Sequence, residues 1–104
     1  MFTGSLVDSA KVAELNRLFS FMPYYTYIIK SKIKERFYIG SSSDLNKRLE
    51  HHNLGHSRST KAFIPWEIVY YEEFESKSDS MKREYALKRI KNKETLLKII
   101  NKEI

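Results

Sequence analysis

Short apolar runs separated by polar turns set the organisation of the chain. Tyr24 to Lys30 is rich in Tyr, Thr and Ile and reads as a strand, because aromatic and β-branched side chains suit a pleated surface. Ser31–Glu35 is a polar hairpin loop, and Arg36 to Gly40 is the returning strand. Alternation puts Tyr25, Tyr27 and Ile29 on one face of the first strand, and Arg36, Tyr38 and Gly40 on one face of the second. Pro65 interrupts the chain. Trp66 to Phe74 follows as a third strand, with Trp66, Ile68 and Tyr70 on one face.

Between and after these strands the period changes to that of helices. Leu45 and Leu49 form the buried stripe of a helix over about 43–52, capped by Ser43 or Asp44. A second helix runs from about Ser80 to Lys91 behind the polar triplet Ser78-Asp79-Ser80, with a break at Asn92–Lys93. Leu96, Leu97, Ile99 and Ile100 mark a final short helix over 94–104. Upstream, Asp8-Ser9 could cap an amphipathic helix through Val12, Leu15, Leu18 and Phe19. Residues 1–22 carry no chemical motif and are expected to be a weakly ordered or short helical extension, with the domain proper over 23–104. The expected fold is a small α/β layer of the α+β kind: a three-stranded, antiparallel-dominated sheet flanked by helices.

At 104 residues the chain allows one domain with a modest core. No apolar run is long enough to span a bilayer, so no membrane role is expected. A chain without cysteine has neither a disulfide frame nor Cys-ligated zinc. Together with the lack of a secretory signal pattern, this fits a cytoplasmic protein. The formal charge of +6 is concentrated late. Residues 82–102 carry eight Lys and Arg against Glu84 and Glu94, which leaves the rest of the chain close to neutral. Such asymmetry points to a polyanionic partner, although a solvated helix face would look the same.

The candidate chemistry lies between Tyr38 and His52. A strand ends at Gly40, and Arg48 and His52, four apart, share a face of the helix that follows. Tyrosine, arginine and histidine converging on one spot would suit a phosphodiester: Arg for the anionic oxygens, Tyr or His for proton transfer. Each residue also has an ordinary reading. Tyrosine favours strands, Arg48 could pair with Asp44, and His52 could be a cation at a helix C-terminus. Glu84 falls at the edge of an apolar helix face, between Leu87 and Met81, where a carboxylate needs a partner; Lys88, four residues on, could supply it. His51 and His52 are adjacent and point apart, which argues against a zinc site with His56. The hydroxyls and cations of the 53–63 loop could meet a phosphate backbone or water. Glu72, Glu73 and Glu75 are expected to be exposed at the end of a strand.

The same residues resemble the GIY-YIG nuclease superfamily. The second signature triplet stands intact as Tyr38-Ile39-Gly40, and Arg48 and His52 follow it at the family's spacing. The first triplet is Tyr25-Thr26-Tyr27, which keeps the final tyrosine but has Tyr25 and Thr26 in place of Gly and Ile. Glu84 stands where the family's metal-binding glutamate sits. The likeness covers about 24–91 and is closest to small stand-alone members similar to the N-terminal domain of the UvrC excision-repair subunit. It implies a metal-dependent endonuclease acting on DNA, related to repair or recombination, with Tyr27, Tyr38, Arg48, His52 and Glu84 as catalytic residues. Glu84 would bind one Mg²⁺ or Mn²⁺. No separate DNA-targeting domain is evident, so targeting would fall to a partner protein. A non-catalytic nucleic-acid-binding or protein-interaction module with the same fold is the alternative. The family's late helical asparagine has two candidates, Asn92 and Asn101.

Overall fold

The structure is a computed structural model that describes residues 22–102. The helix expected through Val12 and Phe19 lies outside the described residues. Three strands, β1 (Tyr24–Ser31), β2 (Phe37–Ser42) and β3 (Trp66–Phe74), form one sheet in the order β2-β1-β3. Both pairings are antiparallel, as expected. Three helices complete the fold: α1 (Leu45–Asn53), α2 (Lys77–Lys88) and α3 (Lys93–Ile100). A single 3₁₀ turn, Lys61–Phe63, precedes β3, and the Ile64–Pro65 peptide is cis.

The central strand β1 is buried on both faces, and this gives the molecule two cores. Tyr27, Ile29 and Trp66 form one, covered by Leu45 and Leu49 of α1 with Tyr38, Phe63, Ile64 and Ile68. Ile28, Leu87 and Leu96 form the other, with Ile39, Val69, Ile99 and Ile100 packed against them from α2, α3 and the sheet. Ile28, Ile29 and Leu87 are completely buried, and each contributes about 1.5–3 kcal/mol through removal of its apolar surface from water.

Several boundaries differ from the sequence pattern, each for a local reason. β2 continues past Gly40, because Ser41 and Ser42 pair with Thr26 and Tyr25. In β3 the register with β1 shifts by one residue between Ile28 and Ile29, a bulge at Val69. Tyr70 therefore packs with the α2 side, not with Trp66 and Ile68. Helix α2 starts earlier than Ser80. Ser76 is the cap, accepting from the Asp79 backbone N–H, while Ser80 is buried and its carbonyl accepts from the Thr26 hydroxyl at 2.6 Å. Asn92 breaks the chain by capping α3, since its side chain accepts from the Glu94 and Thr95 N–H groups. Asn101 is the residue that ends α3. Of the acidic cluster, Glu72 is not simply exposed: its carboxylate accepts from Tyr70 Oη at 2.5 Å and pairs with Arg83 at 3.0 Å.

Candidate active site

Helix α1 is capped by Asp44, whose side chain accepts from the Lys47 N–H. Gly55, at φ +82°, closes its far end in the left-handed conformation that favours glycine. Leu45 and Leu49 of this helix are only partly covered. The residue buried completely is His52, which is 2% exposed. The imidazole is therefore a core group and not a solvated cation at the helix end.

Both ring nitrogens of His52 have partners. Nε2 lies 3.0 Å from Tyr27 Oη, and Nδ1 lies 2.8 Å from Thr60 Oγ1. One arrangement of protons satisfies every donor in this chain. The Tyr27 hydroxyl donates to Nε2, Nδ1–H donates to Thr60, and the Thr60 hydroxyl turns to the Ser57 carbonyl at 3.5 Å. Burial holds the His52 pKa below its ordinary value, and the charges of Arg48 and His51 push it the same way. Burial raises the Tyr27 pKa far above a free phenol, helped by Tyr38 and, after a counteracting pull from Arg48, by Glu84. The pair thus rests as neutral imidazole and neutral phenol.

Tyr38 packs its ring edge-on against the same imidazole, with centroids 5.1 Å apart. Gly40 sits opposite Tyr27 in the β1–β2 ladder. A Cβ at that position would lie 2.6 Å from Tyr27 Oη and 2.8 Å from Cζ, so the glycine makes room for the Tyr27 ring itself. Arg48 is exposed on α1, and its charge reaches both Tyr27 and His52.

Glu84 arrives from the other face of the sheet. Its Oε1 accepts from the Ser41 hydroxyl at 2.7 Å, and its Oε2 pairs with Lys88 Nζ at 2.6 Å. The side chain is 14% exposed. Among the described residues β2 is an edge strand, and the two groups approach it from opposite faces of the sheet. Their fields overlap there: Glu84 acts on Tyr27, while Tyr38 is among the causes that raise Lys88 after its hydrogen bond to Glu84. The charges of Arg48 and Glu84 both act on Tyr27, so the five residues singled out in the sequence lie near one another. Tyr27, Tyr38 and His52 touch directly, and Arg48 and Glu84 stand at the rim.

Two supporting residues escape the sequence pattern. Thr60 belongs by sequence to the loop hydroxyls that could meet phosphate, but it is buried against His52, and its carbonyl accepts from Trp66 Nε1 at 2.8 Å. Ser41 lies just beyond the strand that the sequence pattern predicts. Only the extended ladder brings it beneath Glu84. Lys88 is half-exposed but committed to Glu84.

The family model described as the GIY-YIG catalytic domain matches residues 23–98. The chain belongs to the GIY-YIG family. A UPF0213 protein of Clostridium perfringens is 37% identical over 81 residues, covering 77% of this chain and 86% of that protein. One from Staphylococcus saprophyticus is 38% identical over 79 residues, covering 75% and 94% respectively. The solution NMR structure of a UPF0213 protein from Bacillus halodurans is 26% identical, with a TM-score of 0.49, covering 77% of this chain and 84% of that one. These names state no activity, so the nuclease-type assignment rests on the GIY-YIG domain.

Among the described residues, no group of three or more His, Cys, Asp or Glu side chains is arranged to hold a metal. Of the residues singled out in the sequence, the carboxylate near the Tyr27–His52 pair is that of Glu84. A single carboxylate suits a hard cation such as Mg²⁺, which keeps several waters and takes phosphate oxygens as ligands. It does not suit zinc, which requires a nearly complete protein shell. Among the described residues, no helix is long and apolar enough to cross a membrane.

Proposed function

We propose that this protein is a divalent-metal-dependent endonuclease that hydrolyses phosphodiester bonds in DNA, in a repair- or recombination-type role. One observation carries the reading. The buried Tyr27–His52 hydrogen bond, with the Tyr38 ring against the same imidazole, stands between the exposed Arg48 cation and the Glu84 carboxylate. Packing alone accounts for the buried rings; the approach of an arginine and an acid to the same rings adds groups that suit phosphate and cation.

In this reading Arg48 offsets charge on the non-bridging oxygens as the phosphorus becomes five-coordinate. Tyr38, half-buried at the edge strand, orients the attacking water and, as general base, takes the water's proton onto its phenolate oxygen and is left as a phenol. Tyr27 has its pKa raised and stays a phenol. Its work is positional: it donates to Nε2 and keeps His52 neutral and in place against the Tyr38 ring. Water oxygen bonds to phosphorus, the ester P–O bond breaks, and the departing oxygen acquires a proton. Glu84 would hold the Mg²⁺ or Mn²⁺, which supplies Lewis-acid stabilisation of that leaving oxygen. Ser41 orients the carboxylate. Lys88 shares Oε2 and, as a half-exposed flexible cation, can turn away from it.

The basic 82–102 segment supplies electrostatic attraction to the nucleic acid. A partner protein would provide targeting, and the cytoplasm is the expected location. The test is cleavage of labelled linear, nicked, branched and single-stranded DNA, with matched RNA, in Mg²⁺, Mn²⁺ and chelator. Metal-dependent cuts in DNA that disappear in Glu84→Gln support the reading. No cleavage of any form, with binding retained, replaces it with a non-catalytic nucleic-acid-binding module.

A further inference from the structure

A concavity of about 500 Å³ opens beside the catalytic cluster, on the α1 face of the sheet. Its walls include Tyr25 and Tyr71, whose rings meet edge-to-face at 6.0 Å. Leu45 and Ile68 make the apolar floor, and Asp44 and Asn46 stand on the polar rim. Tyr71 is 56% exposed, so its ring is open to a ligand. Tyr25 occupies the position where the family's name has glycine.

The chemistry of the lining narrows the occupant. Among the described residues, no Lys or Arg lines the concavity, and a carboxylate does. A phosphate would therefore be repelled, not held. Two aromatic rings above an aliphatic floor offer a stacking surface, and the amide of Asn46 offers both a donor and an acceptor. This combination suits a flat, uncharged heteroaromatic with polar edges. The position adds a second constraint. Tyr71 is the direct ladder partner of Tyr27, and Tyr25 is two residues along β1 from it. Two strand residues span about 6.6 Å, so the concavity lies next to the Tyr27–His52 pair.

We propose that this concavity is a nucleobase subsite, in which an unpaired base next to the scissile phosphate stacks on Tyr71 and Tyr25. The proposal rests on the nuclease reading and adds to it a preference for substrates with an unpaired base at the cut: single strands, flaps, gaps or mismatches. A base in an intact duplex is already stacked and would have to be extruded to reach the subsite.

The probe is a short single-stranded oligodeoxynucleotide carrying 2-aminopurine at successive positions, titrated with the full-length protein in chelator so that no turnover occurs. Stacking on tyrosine quenches 2-aminopurine, so wild type should quench it at one position only. Tyr71→Ala should abolish that quench and weaken single-strand binding about tenfold, the range expected when one base–aromatic stack is removed. Tyr71→Phe keeps the ring and should restore both. An abasic residue at the quenched position should weaken wild type to the level of Tyr71→Ala and leave Tyr71→Ala unchanged. Tyr71 is exposed, so its replacement leaves the fold intact, which a thermal melt checks. If wild type binds and cleaves but Tyr71→Ala binds and quenches equally, the subsite is wrong and the nuclease reading stands. If Tyr71→Ala loses affinity equally for intact and abasic strands, the ring meets sugar and not base, and the subsite is again wrong. If wild type binds no oligonucleotide at all, the nuclease reading falls and takes the subsite with it.

Discussion

The two faces of the sheet treat their ionisable groups in opposite ways. On the α1 face, Tyr27, His52 and Thr60 are sealed into a hydrophobic core, and each ring nitrogen of the histidine is spoken for. On the α2 face the completely buried polar groups, Thr26 and Ser80, are uncharged and answer each other, while the ionisable pair Glu84–Lys88 stays nearer the surface, tied to the sheet through Ser41. A buried network depends on complete satisfaction, because an orphaned buried donor or acceptor costs more than a hydrogen bond contributes. The Glu84 carboxylate is bound only by side chains of the sheet edge and of its own helix, so a ligand could take over a contact without opening the core. The same domain therefore couples stability to chemistry on one face and separates them on the other.

The largest expected effect probes that separation. Glu84→Gln keeps size and removes the charge that attracts a cation. Cleavage should fall about a hundredfold or more, while the melting temperature and DNA affinity stay near wild type. Time courses, melts and binding isotherms on one preparation decide it. A large loss of stability would mean that the rim carboxylate belongs to the core after all.

Thr60 tests the other face. Thr60→Val leaves His52 Nδ1 unsatisfied in the core and should cost about 1–3 kcal/mol in denaturant unfolding. Thr60→Ser keeps the hydroxyl and should lose less than half of that. The imidazole ¹⁵N shifts of His52 should change in Thr60→Val and not in Thr60→Ser. Equal losses in both variants would reduce Thr60 to packing alone.

A smaller effect follows from the depressed pKa of His52. Its contribution to stability is fully present above its unfolded pKa of about 6.5 and is lost as pH falls through the lower folded value. The melting temperature should therefore drop on acidification below about pH 6.5, and His52→Gln should show a shallower drop over the same range. Parallel pH profiles for the two proteins would remove His52 as the cause.

The smallest effect lies on the surface. Replacing exposed Lys82, Arg89 and Lys91 with Gln should flatten the slope of log affinity against log salt, by about one for each phosphate that is no longer neutralised. Lys88 is left out because Glu84 holds it. An unchanged slope would move the binding surface to Arg58 and Lys61 of the loop before β3.

Much of this arrangement can be read from local pattern. Strand and helix periods follow from side-chain geometry over a few residues, so three strands, the helices and the antiparallel sheet are all visible in the chain. So is the spacing from Tyr38 to Arg48 and His52, because four residues on a helix share a face whatever surrounds them. Lys88 is foreseeable as a partner of Glu84 for the same reason. Other features depend on partners distant in sequence. The bulge at Val69 exists only because β3 must match β1, and it turns Tyr70 to the other face. Ser41 becomes a strand residue only because Thr26 lies opposite, and it finds Glu84 only because α2 packs there. Thr60 looks like any loop hydroxyl until the chain folds it under His52. The motif residues announce themselves because their chemistry sits in the side chains. Burial and hydrogen-bond partners are properties of pairs, and only the folded chain brings those pairs together.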